Sequence, residues 1–249
     1  MSTRRIIGTT GLLATWEAGL TAGSGTRALL LHSAARPETG VDDLLSVPVG
    51  SRDADLYDLR GALFGDRLEV RLACRECAEE MEFAIGVRDV VGAAPRPEAA
   101  ADPLVVAVDD WSVRFRLPTP GDLAAVETVP PERAGTALIA RCVLDAARDG
   151  TPVPAEELPE PVRRRIAETA TAADPCADVT LNLACPACGH QATAELDIAS
   201  YLWIELDAWA RGTLLDVHLL ATAYGWNESE ILALSPLRRR YYLELCADG

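Results

Sequence analysis

Apolar and polar residues alternate with a period of two at two widely separated places in the chain. Leu68, Val70 and Leu72 lead into Cys74 and Cys77, and Met81, Phe83, Ile85 and Val87 lead away from them. Val179, Leu181 and Leu183 lead into Cys185 and Cys188, and Ala192, Ala194, Leu196 and Ile198 lead away. Such alternation marks half-buried strands, so each stretch predicts strand, knuckle, strand. The two stretches superimpose at an offset of 111 residues, the separation of Cys74 from Cys185.

Elsewhere the apolar positions recur at steps of three and four. Residues 11–34 predict helix with a small-residue break at Gly19–Gly25, ended by Arg36-Pro37. A helix is predicted from Asp53, as N-cap, to Phe64, with Leu56, Leu59 and Leu63 as its stripe and Gly65 closing it. Residues 91–103 read as a loop rich in Ala, Pro and acid. Two strands about Asp109-Asp110 and a short helix capped near Thr119 follow within 104–126. Helices are expected at 134–148, ended by Asp149-Gly150, and at 155–173. Leu202, Leu206, Trp209, Thr213, Val217, Leu220 and Tyr224 line one face of a long helix that Gly225 ends. Asn227 with Glu230 caps a short helix to Leu234, and Ser235-Pro236 opens the last one.

The expected fold class is α+β. A zinc-ribbon-like pair of hairpins (67–90 and 178–198) carries a mixed α/β insertion (91–177). An N-terminal helical region (1–66) and a C-terminal three-helix region (199–249) flank it.

In a Cys-x-x-Cys turn both sulfurs leave one tight loop and face the same point. Two such turns back to back can complete the four-ligand tetrahedron that zinc prefers. With Cys74, Cys77, Cys185 and Cys188 as ligands the shell is closed, so the expected zinc is structural and leaves no position for substrate. Gly189 suits a knuckle needing a positive backbone dihedral; Ala78 in its place predicts a less regular first turn. His190 adjoins the second pair but has no counterpart beside Cys77, so it is not counted as a ligand. The competing readings are buried free thiols or redox dithiols, although a thioredoxin-like pair opens a helix, whereas strands flank both pairs here. Cys142 reads as a small buried hydrophobe, and Cys176 and Cys246 have no partner suggesting a nucleophile.

Composition narrows the function. Nearly half the residues are apolar and 24% are charged, with a net charge of −15. So acidic a surface repels phosphate backbones and anionic lipids, which argues against nucleic-acid and membrane partners. The triplets Arg163–Arg165 and Arg238–Arg240 read as solvated helix faces or local ion pairs. No apolar run reaches the roughly 20 residues of a membrane span. The first residues, interrupted by Thr15, Trp16 and Glu17, do not read as a secretory signal, so a cytoplasmic chain is expected. Walker, Gly-x-Gly-x-x-Gly, His-Glu-x-x-His and Gly-x-Ser-x-Gly patterns are absent. His32 and His218 read as structural. No enzyme and no small-molecule substrate are expected; a deep pocket with convergent carboxylates would reopen a hydrolase reading.

Four stretches together are familiar: "VPVGSRDADLYDLRGALFGDRLEVRLACREC", "VRFRLPTPGDLAAV", "CPACGHQATAELDIASYLWIELDAWA" and "LLDVHLLATAYGWNESEILALSPLRRRYYLEL". They resemble a family of contractile-tail baseplate proteins related to the hub assembly chaperones of T-even phages. That family occurs in phage tails and phage-derived contractile injection systems. The resemblance runs over about residues 10–248 and implies a non-enzymatic assembly chaperone or minor structural component of a baseplate. It also implies other baseplate or hub proteins as partners, and the four cysteines above as metal ligands. Under it the protein is cytoplasmic or built into a tail particle. Aromatic enrichment suits interfaces, so the expected contact surface is the C-terminal helices, where Trp203, Trp209, Trp226, Tyr241 and Tyr242 are concentrated, with roughly half or more of these expected to form the core under the long helix. "CREC" departs from the commoner Cys-Pro-x-Cys-Gly form. The alternative is a zinc-ribbon adaptor for protein or nucleic acid, unrelated to tails.

Overall fold

Small residues interrupt the first helical stretch, and the computed structural model, which describes residues 7–91 and 102–247, divides it there into α1 (Thr9–Gly19) and α2 (Ser24–Ala35). Gly19 is small for a steric reason: a Cβ there would run into the indole of Trp203. After α3 (Val41–Ser46), α4 spans Val49–Phe64 and ends on Gly65, whose φ is 90°. The start of α4 corrects the expectation at Asp53. The Val49 amide donates to the Pro118 carbonyl at 3.0 Å and the Gly50 amide to Asp174 Oδ2 at 2.8 Å. Acceptors distant in sequence therefore do the capping, one turn earlier, and Asp53 lies inside the helix against Arg52.

The first hairpin is β1 (Arg67–Ala73) paired with β2 (Glu80–Gly86), followed by α5 (Val87–Val91). Of the loop expected at 91–103, residues 92–101 lie outside the described residues. A four-stranded antiparallel sheet follows in the order β3 (Leu104–Val108), β4 (Trp111–Phe115), β5 (Val143–Arg148), β6 (Thr151–Pro152). Between β4 and β5 run α6 (Pro120–Val126), capped by Thr119 with Asp122 completing a reciprocal box, and α7 (Pro131–Cys142).

The helix expected over 134–148 is therefore half strand. Ala146 opposes Val113 in the ladder, and that tertiary pairing overrides the local helical pattern. Asp149-Gly150, read as a helix stop, is a two-residue hairpin turn with both φ values positive, at 48° and 76°. The helix expected at 155–173 is a 3-10 turn (Ala155–Glu157) and α8 (Glu160–Ala173), with Pro159 as the boundary. Val106, Val113, Phe115, Ala146, Leu158, Val162 and Ile166 make the core of this unit.

The second hairpin, β7 (Thr180–Ala184) with β8 (Gln191–Glu195), leads into α9 (Ile198–Tyr224), α10 (Glu228–Leu232) and α11 (Pro236–Ala247). Asp197 caps α9, Gly225 ends it with φ 68°, and the Asn227/Glu230 box forms as expected. The main core joins α1, α2, α4 and the first half of α9 through Leu12, Trp16, Leu31, Leu56, Leu202 and Leu206. Leu68, Ile85, Val179 and Leu196 bring the bases of both hairpins into that core. Of the expected α9 face, Leu202, Leu206, Thr213 and Leu220 are buried, whereas Tyr224 is 39% exposed beyond the core.

Arg60 of α4 clamps this assembly. Its guanidinium is almost fully buried, gives two hydrogen bonds to Glu205 of α9 at 2.7 and 2.9 Å, and donates to the Gly65 carbonyl. His32 is buried with Nε2 3.3 Å from Asp55, a structural histidine as read from the sequence. His218 is exposed. The basic triplets largely resolve into ion pairs, among them Arg163–Glu160, Arg165–Glu168, Arg240–Glu244 and the buried Arg239 with Asp216.

Candidate metal centre

The alternating strands position the two cysteine pairs. Leu72 opposes Met81 one rung before the end of the first ladder, and both pack beside the sulfurs. In each knuckle the first cysteine amide donates to the carbonyl five residues on, Cys74 to Glu79 and Cys185 to His190, both at 2.8 Å. Its own carbonyl accepts from Ala78 or Gly189, both at 2.9 Å. Gly189 has φ 74° and Ala78 has φ 60°, so the two turns are the same turn. The less regular first turn is not found; the alanine instead holds a left-handed backbone that favours glycine. Ala78→Gly is expected to stabilise the first knuckle by about 1 kcal/mol, measured as slower amide exchange at Cys74–Glu79, with metal binding retained.

Cys74 Sγ lies 3.7 Å from Cys188 Sγ, and Cys77 Sγ lies 3.6 Å from Cys185 Sγ. All four sulfurs lie within 4.8 Å of one another. A tetrahedron with metal–sulfur bonds of about 2.3 Å has sulfur–sulfur edges of about 3.8 Å, close to these contacts. The first cysteine of each pair is buried and the second exposed, as a pseudo-two-fold arrangement requires. Such a group can hold a metal ion. His190 is exposed and outside the cluster.

The Cys74 and Cys77 thiols are shifted in opposite directions. The amides of Cys77 and Glu76 donate to Cys74 and bring its thiol down to about 6. At Cys77 the Glu79 amide also pulls down, yet the neighbouring sulfurs of Cys188, Cys185 and Cys74 prevail and push it up to about 12. Thiolates crowded this closely repel one another, and a cation among them would offset that repulsion.

The rest of the geometry shows what such an ion would hold. β1–β2 and β7–β8 are separate two-stranded sheets. The main core fixes their bases, whereas Cys74, Cys185, Met81 and Leu72 form a small cluster apart from it at the knuckle end. Tyr201 of α9 adds one clasp, accepting from the Glu69 amide at 3.1 Å and donating to the Glu69 carbonyl at 3.0 Å. That contact spans 132 residues and left no signal in the local pattern.

Sequence reasoning also missed a cleft of about 460 Å³ where α4, α7, α8 and the base of the second hairpin meet. Asp53, Asp174, Asp178, Glu195 and Asp197 line it. Asp53 is tied to Arg52, Asp197 caps α9, Asp174 caps α4, and Asp178 and Glu195 stand exposed at the rim.

Both knuckles, their strands and the intervening unit lie within residues 37–203, which match the model of a family described as T4 bacteriophage base plate protein. The chain belongs to this T4-type phage baseplate family. No curated protein and no solved structure matches it. The match is narrower than the resemblance over residues 10–248. It leaves out α1, α2 and the chain beyond Trp203, including the Ala-Tyr-Gly-Trp run and the arginine triplet of α11. Among the described residues no helix of this baseplate protein is long and apolar enough to cross a membrane.

Proposed function

We propose that this baseplate-family protein is a non-enzymatic assembly factor or minor structural component of a contractile tail, made rigid by one zinc ion on Cys74, Cys77, Cys185 and Cys188. The observation that carries the reading is the family match, which contains both halves of the four-sulfur cluster. Four thiolates in a tetrahedron suit zinc, and a closed shell leaves the ion a structural role. Zinc would supply the positive charge that lets the crowded thiolates coexist.

The partners in this reading are other baseplate or hub proteins. The C-terminal helices offer the contact surface, with part of their aromatic set in the core as expected. Trp203 is buried and Trp209 half-buried; the exposed large apolar residues include Leu237, Tyr241 and Leu245 of α11 and Leu215, Leu219 and Tyr224 of α9. Tyr224, Trp226 and Tyr242 pack against one another, one pair stacked and two edge-on, with ring centroids 4.7 to 5.7 Å apart. Apolar and aromatic exposure of this kind suits an interface.

Quantitative mass spectrometry of purified tail particles and of their soluble precursors tests the role. The chain at fixed stoichiometry in particles identifies a component, and its confinement to precursor complexes identifies an assembly chaperone active in the cytoplasm. Its absence from both would overturn the reading.

A further inference from the structure

The four sulfurs touch across the hairpins. The contact of 3.7 Å joins Cys74 to Cys188 and that of 3.6 Å joins Cys77 to Cys185, so each sulfur is used once and both contacts run from the first hairpin to the second. Cys74 and Cys185 are buried, whereas Cys77 and Cys188 are exposed. Each contact therefore pairs a sulfur that solvent reaches with one that it does not. The turns are held by their own backbone, the Cys74 amide donating to the Glu79 carbonyl and the Cys185 amide to the His190 carbonyl. The two ladders share no strand pairing, and the cluster at their knuckle ends adds only Leu72 and Met81 to the sulfurs. A disulfide is about 2.05 Å long, so closing either contact moves each sulfur by less than about 1 Å, which side-chain rotation supplies without opening the turns.

We propose that this centre has a second closed state, free of metal, in which Cys74–Cys188 and Cys77–Cys185 are disulfides formed by oxidation with a peroxide. The exposed Cys188 thiolate attacks one oxygen of hydrogen peroxide, becomes a sulfenic acid and releases hydroxide. The buried Cys74 thiolate then displaces hydroxide from that sulfur, and the S–S bond forms. Cys77 and Cys185 repeat the two steps. Two peroxides take four electrons from the four thiolates, and four protons turn the departing hydroxides into water. Disulfide sulfurs no longer hold a cation, yet the hairpins stay tied. This differs from a redox dithiol within one Cys-x-x-Cys, since a disulfide inside each turn would leave the two knuckles unjoined. That such a state serves a tail particle passing from a reducing cell interior to an oxidising medium rests on the function proposed above; the pairing rests on the sulfur contacts.

Peptide mapping of the intact protein tests it. Protein purified with reductant, its metal content measured, is exposed to hydrogen peroxide, then denatured in iodoacetamide and digested with trypsin. Arg75 lies between Cys74 and Cys77, so the digest separates peptide 72–75 from peptide 76–88, while Cys185 and Cys188 stay together on peptide 166–211. All three peptides joined is the expected product, with fragmentation assigning Cys74 to Cys188 and Cys77 to Cys185. Amide exchange over residues 70–84 and 181–194 in the oxidised protein should stay within about 10-fold of the reduced, metal-bound protein, and reductant with a chelator should then raise it at least about 100-fold. Peptide 72–75 joined to 76–88 alone, Cys74 joined to Cys185, sulfinic acids in place of disulfides, or exchange as fast as in the reduced, chelated protein would each overturn the proposal. The same digest reads the pairing from protein that holds no metal at the start, so its failure is distinguishable from failure of the zinc reading.

Discussion

Replacing Cys74 with serine, or stripping the metal with a chelator, is expected to melt the knuckle ends of both hairpins and leave the helical core folded. An isolated two-stranded hairpin is marginal in water. Here the two ladders share no strand pairing, and the cluster about the sulfurs contains little besides Leu72 and Met81. Structural zinc contributes apparent binding energies of about 10–16 kcal/mol in small zinc domains, far above what those two side chains supply. Amide exchange over residues 70–84 and 181–194 should therefore accelerate by orders of magnitude, while α4 and the first half of α9 keep their protection. Both hairpins should respond to Cys74→Ser although the substitution lies in only one. Cooperative loss of the whole fold, or no change in the second hairpin, would contradict this account.

The second large effect is expected at Arg60. Its replacement by alanine removes a nearly buried guanidinium from Glu205 and from the Gly65 carbonyl at the end of α4. Glu205, about a quarter exposed, keeps some hydration, which places the cost near the lower end for a broken buried pair, about 3 kcal/mol. For a chain of this size that corresponds to a fall in Tm of roughly 6–12 °C. Arg60→Lys should recover little, because an ammonium cannot make the two-pronged contact with Glu205. Differential scanning calorimetry of both variants decides this, and a shift of under about 2 °C for Arg60→Ala would refute the clamp.

The parts of the structure legible in the sequence are those fixed by local chemistry. Alternation marked the strands of both hairpins, and the repeat at Cys74 and Cys185 pointed to the four sulfurs that the structure brings together. Capping residues marked α6, α10 and the end of α9 correctly, because Thr119, Asn227 and Gly225 act within a few bonds of themselves. The errors fall where distant residues decide. Residues 143–148 look helical alone, but β4 takes them as a ladder partner. The first turn of α4 is capped by Pro118 and Asp174, which no local pattern at Asp53 could announce. The acidic cleft escaped for the same reason, since its carboxylates come from α4, the segment after α8, and the second hairpin. Ala78 is a different case: the residue argued for an irregular turn, but the hydrogen bonds of the knuckle impose the same left-handed backbone that Gly189 adopts freely.

In the reduced protein, order at the knuckle ends of both hairpins depends on two remote Cys-x-x-Cys turns closing a single four-thiolate shell. X-ray absorption at the zinc edge of the purified protein, with metal content measured in parallel, tests it most directly. One zinc per chain bound by four sulfurs at about 2.3 Å is the expected result. A shell containing nitrogen or oxygen, or a folded protein that carries no metal, would contradict it.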